Sequence, residues 1–348
     1  MSNEATTDTF EAAMSVAWQF DYEIELESLK TLYGKAKDAQ WDGEKDLDWA
    51  QPIDPSRPLL DETQFAFSGL PMVQKMSQSQ REHFTAHATA QLLSQFLHGE
   101  QGALMTAATL THAVPHYEAK LYAASQTMDE ARHVEVYEKY IRKLAIVYPI
   151  APWLKEIIDT TLQADSWVKV AIGMNMVVEG LALAAFHNMR KATSCKLLKA
   201  LTEGVLRDEA RHVAFGSIYV RDAIDHMHPD EREDTAQFAF EAVKVMADAN
   251  GGMQGEKPPA PNPSFFAMLD ECSIDPAEFF AEAVEAGLAG VNSKLPPGQI
   301  HSFRHLMMPA LVRVGAVTDR TRELFAAENI PVWDDLAMLE SFEAAEAT

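Results

Sequence analysis

Cysteine is nearly absent from the sequence, and basic residues are scarce. The two cysteines, Cys195 and Cys272, form no Cys-x-x-Cys motif, so a disulfide framework or a thiolate metal site is not expected. The chain has 29 basic against 52 acidic residues and a formal charge of -23, which argues against nucleic acid or an anionic membrane as a partner. The first 20 residues lack the basic and apolar regions of a secretory signal, and no run of about 18 apolar residues occurs. We therefore predict a soluble, cytoplasmic protein.

The sequence also lacks the alternation of apolar and polar residues that is typical of β-strands, whereas stretches with helical periodicity are frequent. We predict an all-α fold built on a four-helix bundle, with additional N-terminal and C-terminal helices. The bundle helices are expected over about 73–112, over about 115–147, from Ser166 and from Ser194. The N-terminal part of the first bundle helix can be a separate helix, and a short crossover helix is expected over 153–164.

Prolines and glycines divide the chain into three parts. Residues 1–72 are predicted to contain a loose arm, one helix and a Pro-rich connector, and residues 73–226 are predicted to form the bundle. Residues 227–348 are predicted to add helices that pack on the bundle without forming an independent domain. One helix is expected over 229–250, and two or three more are expected near 275–291 and 298–327, with a Gly/Pro-rich loop at 251–263 and a frayed tail at 340–348.

One pentapeptide occurs twice, as Asp129-Glu130-Ala131-Arg132-His133 and as Asp208-Glu209-Ala210-Arg211-His212. In each copy a Glu and a His are three positions apart, so on a helix their side chains share a face at roughly 5 to 6 Å and can bind one metal ion. Another Glu precedes each copy by 30 residues, Glu100 before Glu130 and Glu179 before Glu209, and the two halves are offset by 79 residues. Two lone glutamates and two Glu-x-x-His pairs on four helices are the ligand set of a di-iron or di-manganese carboxylate bundle.

These six residues are assigned to two metal ions. Carboxylates and imidazoles suit Fe(II) or Mn(II), and six such groups leave coordination positions open for O2. One ion is assigned Glu100, Glu130 and His133, and the other is assigned Glu179, Glu209 and His212. One or two of Glu130, Glu209 and Glu179 are expected to bridge the ions. A chance charge pattern on solvated helices is the alternative, and it does not account for two matched copies.

Each pentapeptide adds an Asp and an Arg that can support the metal ligands. A ligating histidine usually donates its second ring N–H to a carboxylate or a carbonyl group. We predict that Asp208 accepts this bond from His133 and that Asp129 accepts it from His212. Arg132 and Arg211 are predicted to pair with these aspartates between the helices. The alternative is a set of solvated charge pairs at i,i+3 spacing, with the aspartates facing bulk water.

Residues near the ligands are expected to form a substrate pocket. Tyr137, seven residues after Glu130 and on the same face, is the candidate catalytic residue; it can be a redox-active tyrosine, a pocket wall or an ordinary half-buried phenol. The equivalent position after Glu209 is Gly216, which would leave room for substrate on one side only. Apolar residues one or two turns from the lone glutamates are expected to line the cavity: Phe96, Met105, Met176, Leu183 and Phe186.

These motifs, which cover Phe96 to Gly216, resemble the ferritin-like superfamily of di-iron carboxylate proteins. The resemblance is to the branch that contains ribonucleotide reductase small subunits, bacterial di-iron monooxygenases and N-oxygenases. Upstream, Gln40-Trp41 and Asp46-x-Asp48-Trp49 resemble poorly characterised bacterial members of that branch. The resemblance implies a ferritin-like bundle and O2 activation by two Fe ions, with Mn/Fe and Mn/Mn pairs as alternatives.

Departures from the family patterns separate its members. Radical-transferring reductase subunits have a Tyr-containing C-terminal end, which residues 340–348 lack, although Tyr137 matches the reductase pattern. Arylamine N-oxygenases carry an additional His one turn before the last ligand Glu, where this chain has Val205, so N-oxygenation is less favoured. Ligand-binding oxidases with a Val–Tyr crosslink have Val and Tyr where this chain has Gly102 and Met174. A crosslinked centre is therefore not expected.

The expected function is that of an O2-dependent di-iron monooxygenase or oxidase that acts on a small hydrophobic organic molecule by hydroxylation, desaturation or a related oxidation. Since no flavin or iron–sulfur motif is visible, electrons are expected from a separate reductase or ferredoxin. A homodimer is expected through the outer helices. The alternatives are a radical-generating, reductase-like subunit that uses Tyr137, an arylamine N-oxygenase, and a non-catalytic ferritin-like iron binder.

Overall fold

The computed structural model describes residues 9–12, 14–20, 22–53, 60–253, 255, 260–288, 290–291 and 295–345. Within these ranges every regular element is a helix, and the backbone bridge between Leu60 and Thr193 is isolated. The predicted all-α fold is thereby confirmed for the described residues. Four predicted irregular segments lie partly outside the described residues: the arm at 1–8 and 13, the connector at 54–59, the loop at 254 and 256–259, and the tail at 346–348.

The helices are numbered here in chain order, with one 3-10 turn, Ala66–Gly69, before α2 and one π-helical turn, Phe303–Met307, before α11. They are α1 (Glu27–Asp38), α2 (Pro71–Lys75), α3 (Gln78–Ala113), α4 (Tyr117–Leu144), α5 (Pro152–Leu162), α6 (Trp167–Ala192), α7 (Lys196–His226), α8 (Pro229–Ala249), α9 (Pro263–Glu271), α10 (Pro276–Glu285), α11 (Met308–Val314), α12 (Asp319–Ala327) and α13 (Ala337–Ala345).

Four long helices, α3, α4, α6 and α7, form the bundle. Helix α3 lies along α4 and α6 lies along α7, and the two pairs meet where α4 contacts α7 and α3 contacts α6. Helix α5 crosses between α4 and α6 and packs on α3. At this crossing a Cβ added to Gly102 would lie 2.7 Å from Ile158 Cδ1, so the absence of a side chain lets the two helices approach closely.

Helix boundaries follow local capping chemistry. Helix α3 begins with a capping box, in which Ser77 Oγ accepts from the backbone N–H of Gln80 at 3.3 Å and Gln80 Oε1 accepts from Ser77 N–H at 3.0 Å. This cap makes α2 the separate piece that was expected before the first bundle helix. Ser166 caps α6 as predicted. Ser194 does not cap α7: Cys195 occupies that position, and its N–H donates to Thr193 Oγ1 at 3.1 Å.

Helix α6 changes its winding just before Glu179. Residues Ile172–Val178 form a π-helix, and all seven are buried. A π-turn contains more residues per turn than an α-helix, so it rotates the side chains that follow it, and such turns often occur at functional sites. Here the π-helical segment brings Asn175 Nδ2 to 3.0 Å from Glu179 Oε2.

The C-terminal helices pack on the bundle. The π-helical turn lies against α6, where Met307 Cα is 3.4 Å from a Cβ placed on Gly180. Helix α12 packs on α8 through Phe325 and Phe240, whose ring centroids are 5.0 Å apart. Helix α13 contacts α6 through Phe342 and His187 at 5.6 Å. The division at residues 72 and 226 stays a prediction, because these contacts describe packing and not independent folding.

Three expectations about the C-terminal part were wrong. Helix α9 was not expected, because Pro263 was taken as the end of a loop, although it occupies the first turn of the helix. The helix expected over 298–327 is divided at Gly315, whose φ of +82° ends α11. The tail expected to be frayed from residue 340 is helical over Ala337–Ala345.

One described helix, Trp167–Ala192, is long and apolar enough to cross a membrane by length and composition. In the folded chain, 83% of its most apolar window is buried against other helices. Its hydrophobicity is therefore that of a central core helix.

Candidate metal centre and substrate cavity

Four helices bring the six predicted ligands to one place at the centre of the bundle. Helices α3 and α6 each supply one glutamate, and α4 and α7 each supply a Glu-x-x-His pair; all six side chains are buried. Potential ligand atoms lie within 4.8 Å of one another in two groups. These groups are Glu100, Glu130, His133 and Glu209, and Glu130, Glu179 and His212.

Glu130 and Glu209 lie between the two histidines. His133 Nδ1 is 3.2 Å from one oxygen of each of these glutamates, Glu130 Oε2 and Glu209 Oε1. His212 Nδ1 is 3.1 Å from Glu130 Oε1 and 3.6 Å from Glu209 Oε2. Each carboxylate therefore presents one oxygen to each imidazole, which is the arrangement a bridging ligand needs. Glu100 lies 3.1 Å from His133 only, and Glu179 lies 4.0 Å from His212.

The donor set fits two divalent cations. Glu130 Oε2, both carboxylate oxygens of Glu209 and His212 Nδ1 are buried without a hydrogen-bond partner in the described part of the chain. Buried polar atoms are costly unless they are paired, and buried carboxylates are normally paired or coordinate a metal. Cations between these atoms would give all four a partner.

Burial and mutual repulsion hold protons in the cluster when cations are absent. Burial raises the pKa of Glu100 and of Glu179 well above its usual value, and Glu209 adds to both effects. Burial would lower the pKa of His133 and of His212, but the surrounding carboxylates raise both well above the usual value. Cation binding must therefore displace protons from this site.

Two aspartates lie behind the histidines. His133 Nε2 is 3.1 Å from Asp208 Oδ2, and His212 Nε2 is 3.4 Å from Asp129 Oδ2. Arg132 donates to both aspartates, at 2.9 Å to Asp208, and Arg211 donates to Asp208. Both aspartates are at most 1% exposed, so these are not solvated surface pairs.

Two residues that follow α1 also bond to these aspartates, and with the aspartates and arginines they form a polar layer behind the histidines. Trp41 Nε1 donates to Asp208 Oδ2 at 2.7 Å, and Gln40 Nε2 donates to Asp129 Oδ1 at 2.8 Å. Gln40 Oε1 accepts from Arg132 at 2.9 Å, and the guanidinium of Arg132 lies 4.8 Å from the Trp41 ring centroid. The sequence singled out Gln40-Trp41 only by resemblance, since no spacing rule relates this pair to the pentapeptides.

Two buried amides hold Glu179, and they were missed from the sequence. Gln126 Nε2 donates to Glu179 Oε1 at 2.7 Å and to Glu130 Oε1 at 3.1 Å, while Asn175 Nδ2 donates to Glu179 Oε2. Each amide precedes a ligand glutamate by four residues, a spacing that could have identified them. At the offset of 79 residues their counterparts are Val205 and Phe96, so the surroundings of Glu100 are apolar where those of Glu179 are polar.

Tyr137 is fully buried beside Glu100. Its ring stacks on Phe186 at 5.8 Å and meets the edge of Phe96 at 6.0 Å. Its phenol oxygen has no hydrogen-bond partner among the described residues, and burial raises the pKa of Tyr137 well above its usual value. The nearby Thr202 hydroxyl favours the ionised form, but its effect is smaller than that of burial.

Gly216 does not open space for substrate, contrary to expectation. A Cβ at this position would lie 2.7 Å from Asn175 Cβ and 2.9 Å from Met176 Sδ. The room left by the missing side chain is occupied by the π-helical segment of α6. Gly216 therefore permits close packing of α7 on α6.

An apolar cavity of about 370 Å³ reaches the metal centre from the side of Glu100. The carboxylate-bearing residues at its wall are Glu100, Glu179 and Glu209. Its apolar walls come mainly from α3, α5, α6 and the π-helical turn. They include Phe96, Trp153, Leu154, Phe186, Ile300 and Phe303.

Two of the five predicted pocket residues, Phe96 and Phe186, line this cavity, and three do not. Met105 is 44% exposed, because five positions after Glu100 it lies about 140° around the helix. Met176 is turned towards Gly216. Leu183 is 1% exposed within the hydrophobic core. The walls from α5 and from Ile300 to Phe303 could not be recognised in the sequence, because they come from distant segments.

Among solved structures, the chain is similar to an R2-like ligand-binding oxidase with an aerobically reconstituted Mn/Fe cofactor, with 16% identity over 94% of this chain and 91% of that chain and a TM-score of 0.43. A variant of that oxidase gives 17% identity over 86% and 95% of the two chains and a TM-score of 0.48. None of the curated proteins matches the chain.

The family model of the p-aminobenzoate N-oxygenase AurF matches residues 24–254. This range is well over half of the chain and includes α1, both pentapeptides, both lone glutamates and the residues that pair with them. The protein accordingly belongs to the AurF family, and it is an O2-dependent di-iron oxidoreductase of oxygenase or oxidase type.

Proposed function

We propose that this enzyme oxidises a small, uncharged, hydrophobic organic molecule that binds in the cavity beside Glu100. The observation that carries the proposal is the continuity of the apolar cavity with Glu100, Glu179 and Glu209. Its volume of about 370 Å³ lies near the lower end of the range for small-molecule sites. A substrate there would lie against the open side of the metal centre. The proposed reaction is a hydroxylation, a desaturation or a related oxidation of this molecule.

The proposed ligand set follows from the distances. Glu130 and Glu209 would bridge two ions, Glu100 and His133 would complete one site, and Glu179 and His212 would complete the other. When bound, an iron pair supplies the redox chemistry that activates O2, and Mn/Fe or Mn/Mn pairs suit the same donors. Glu130 and Glu209 can each serve both sites without moving, since each carboxylate already presents one oxygen to each histidine.

The protein's own contribution is to fix the imidazoles and exclude water. With Nε2–H of His133 donating to Asp208, the lone pair of Nδ1 points to the carboxylate cluster. Burial would raise the pKa of Asp208, but His133, Arg211 and Arg132 lower it, so this acceptor is ionised. On the cavity side, Phe96 and Phe186 shield the centre.

Three neutral polar side chains at the cavity wall are already engaged with the backbone. Gln95 Oε1 accepts from Ala151 N–H at 2.7 Å, Asn188 exchanges bonds of 2.9 and 2.8 Å with Ile300, and His301 Nε2 lies 2.6 Å from Val291 O. No Lys or Arg is among the lining residues that the structure describes. A carboxylate substrate would therefore be placed near glutamates without a counter-charge from these residues, which supports an uncharged substrate.

N-oxygenation of an uncharged arylamine is the second candidate. It is supported by the AurF family, and an aromatic amine without a carboxylate suits the cavity. The additional histidine of known arylamine N-oxygenases is replaced by Val205, which is fully buried. The product of the reaction, a hydroxylated carbon or an oxidised nitrogen, separates the two candidates.

We also propose a separate electron donor, either a reductase or a ferredoxin, a homodimeric assembly and a cytoplasmic location. A radical-generating role for Tyr137 has less support, because burial raises the pKa of Tyr137 well above its usual value and so opposes loss of the phenol proton. Non-catalytic iron binding does not account for the apolar cavity.

The experiment uses protein loaded anaerobically with Fe(II), then exposed to labelled O2, a reductant and pairs of aromatic substrates with and without a carboxylate. We expect labelled product from uncharged members and little from carboxylates. Gly99→Leu should abolish turnover with the larger substrates while iron content is retained, because Gly99 lines the cavity and its Cβ would meet nothing within 4 Å.

The matched control is Gly34→Leu. Gly34 is also helical and unobstructed, but it lies in α1 away from the cavity, so activity should be retained. Equal activity in Gly99→Leu and wild type would contradict the assignment of the cavity. A persistent tyrosyl radical that disappears in Tyr137→Phe, without substrate oxidation, would replace the oxygenase proposal by the radical-generating one.

A further inference from the structure

We propose that His83, His87 and Glu271 form a second metal site, specific for a divalent ion of the Zn²⁺ class, that joins α3 to the end of α9. This site is separate from the di-iron centre. His87 precedes Glu100 by 13 residues on the same helix, which places the two positions about 20 Å apart along the helix axis.

The three side chains already converge. A potential ligand atom of each lies within 4.8 Å of the others. His83 and His87 are one turn apart on α3, and their ring centroids are separated by 4.3 Å. Histidines at i and i+4 on one helical face are a recurrent zinc-binding pair. Glu271 is the last residue of α9, and its backbone oxygen lies 3.3 Å from His83 Nε2.

His87 is prepared for coordination by its surroundings. Its Nδ1 lies 2.6 Å from the hydroxyl of Tyr148, while its side chain is buried at the interface. With the proton on Nδ1 donated to Tyr148, Nε2 keeps a lone pair for a metal ion, and such an outer partner fixes the ring orientation.

The donor set determines the class of ion. Two imidazoles and one carboxylate suit Zn²⁺, Co²⁺ or Ni²⁺, whereas Mg²⁺ and Ca²⁺ prefer oxygen donors. Three protein ligands leave a fourth position of a tetrahedral ion for water. His83 and Glu271 are exposed, so an ion can enter without opening the bundle.

The site would secure one end of α9. The other end is held where Gln91 Nε2 and Gln95 Nε2 donate to Ser264 Oγ at 3.1 and 3.0 Å. Gln95 also accepts from Ala151 and lines the substrate cavity. A metal ion at Glu271 would therefore fix both ends of α9 on the helix that carries Glu100.

The test is calorimetric titration of the full-length, iron-loaded protein with Zn²⁺, with iron content measured before and after. We expect one Zn²⁺ per chain in excess of the iron. Glu271→Gln and His83→Gln, which change exposed side chains, should each weaken Zn²⁺ binding at least 10-fold, in line with the loss of a ligand. The control His112→Gln changes another histidine of α3 and should bind as wild type does.

A second measurement identifies the ligands. Co²⁺ added to iron-loaded protein should give visible absorption typical of four-coordinate cobalt, and this absorption should be lost in His87→Gln. A thermal melt without Zn²⁺ establishes that each variant is folded, and Zn²⁺ should raise the melting temperature of wild type and of His112→Gln but not that of the three ligand variants. Absence of a stoichiometric Zn²⁺ site in wild type, or unchanged binding in Glu271→Gln and His83→Gln, would overturn the proposal.

Discussion

At the scale of single residues, the two copies of the pentapeptide are alike as ligands and different in their surroundings. Asp208 Oδ2 is shared by His133, Arg132 and Trp41, at 3.1, 2.9 and 2.7 Å. Asp129 has a longer contact, 3.4 Å, to His212. Asp208 is thus the more densely bonded of the two aspartates.

Asp208→Asn is expected to lower metal affinity by about 10–100-fold, the usual effect of losing the outer partner of a ligating histidine. The Asn side chain lacks the negative charge that Arg132 and Arg211 share. In one of its two orientations the amide would also present an N–H, and not an oxygen, to His133 Nε2. Metal content after dialysis against a graded series of chelator concentrations measures the change. Asp225→Asn, an exposed position on the same helix, is the control and should retain wild-type metal content.

The residues of the candidate centre were predictable to the extent that spacing along one helix determines them. Glu130 and His133 share a face because they are three residues apart, and the repeat at 79 residues related them to Glu209 and His212. Trp41 could not be derived in this way. Its contact with Asp208 spans 167 residues and depends on which helices pack together.

At the scale of secondary-structure elements, the π-helical segment of α6 determines how α6 and α7 fit. Its residue Asn175 bonds to Glu179 and also lies against Gly216 of α7. The two contacts connect helix packing to the position of one metal-binding carboxylate. Hydrophobic periodicity could not reveal this segment. Every residue from 172 to 178 is buried, so the segment has no exposed face that would show how the helix is wound.

Gly216→Ala is expected to destabilise the protein by about 1–3 kcal/mol, as over-packing of a dense core usually does. The added methyl would lie 2.7 Å from Asn175 Cβ, and it would displace the amide that supports Glu179. The shift of the urea unfolding midpoint, measured on metal-free protein, tests this.

Gly99→Ala serves as the comparison for Gly216→Ala. Its Cβ would meet nothing within 4 Å, so this variant should gain up to about 1 kcal/mol from helix propensity. If Gly216→Ala were as stable as wild type, the packing of α7 on α6 would not require a glycine at position 216.

Helix boundaries were predictable where capping residues were present and not where irregular segments intervened. The Ser166 cap placed the start of α6 correctly. Gly315, in contrast, ends α11 through a positive φ that its sequence context did not distinguish from a helical glycine.

At the scale of the whole molecule, the charge of -23 is an unfavourable term that dissolved salt can reduce. The melting temperature of metal-free protein is expected to rise between about 20 mM and about 0.5 M NaCl, because screening weakens repulsion between the many carboxylates. Scanning calorimetry at several salt concentrations measures this. A fall in melting temperature would mean that attractive pairs, such as Lys169 with Asp234 at 2.5 Å, outweigh the repulsion.

The cavity is also a property of the whole molecule. Its walls combine α3 and α6 of the bundle with Trp153 of α5, Met246 of α8 and the segment from Ile300 to Phe303. Motif spacing located the carboxylates at its inner end. It could not locate walls that are brought together only by tertiary packing.

The contact between Glu118 and the start of α1 makes the stability of one helix depend on another. Helix α1 has 12 residues and no side-chain cap of its own, and the buried carboxylate of Glu118 on α4 accepts from Leu26 N–H at 2.5 Å and from Glu25 N–H at 3.1 Å. A helix of this length is marginal in isolation. Helix α1 therefore depends on α4 for part of its stability. Gln40 and Trp41 follow α1, so their bonds to the aspartates behind both histidines depend on the Glu118 contact as well.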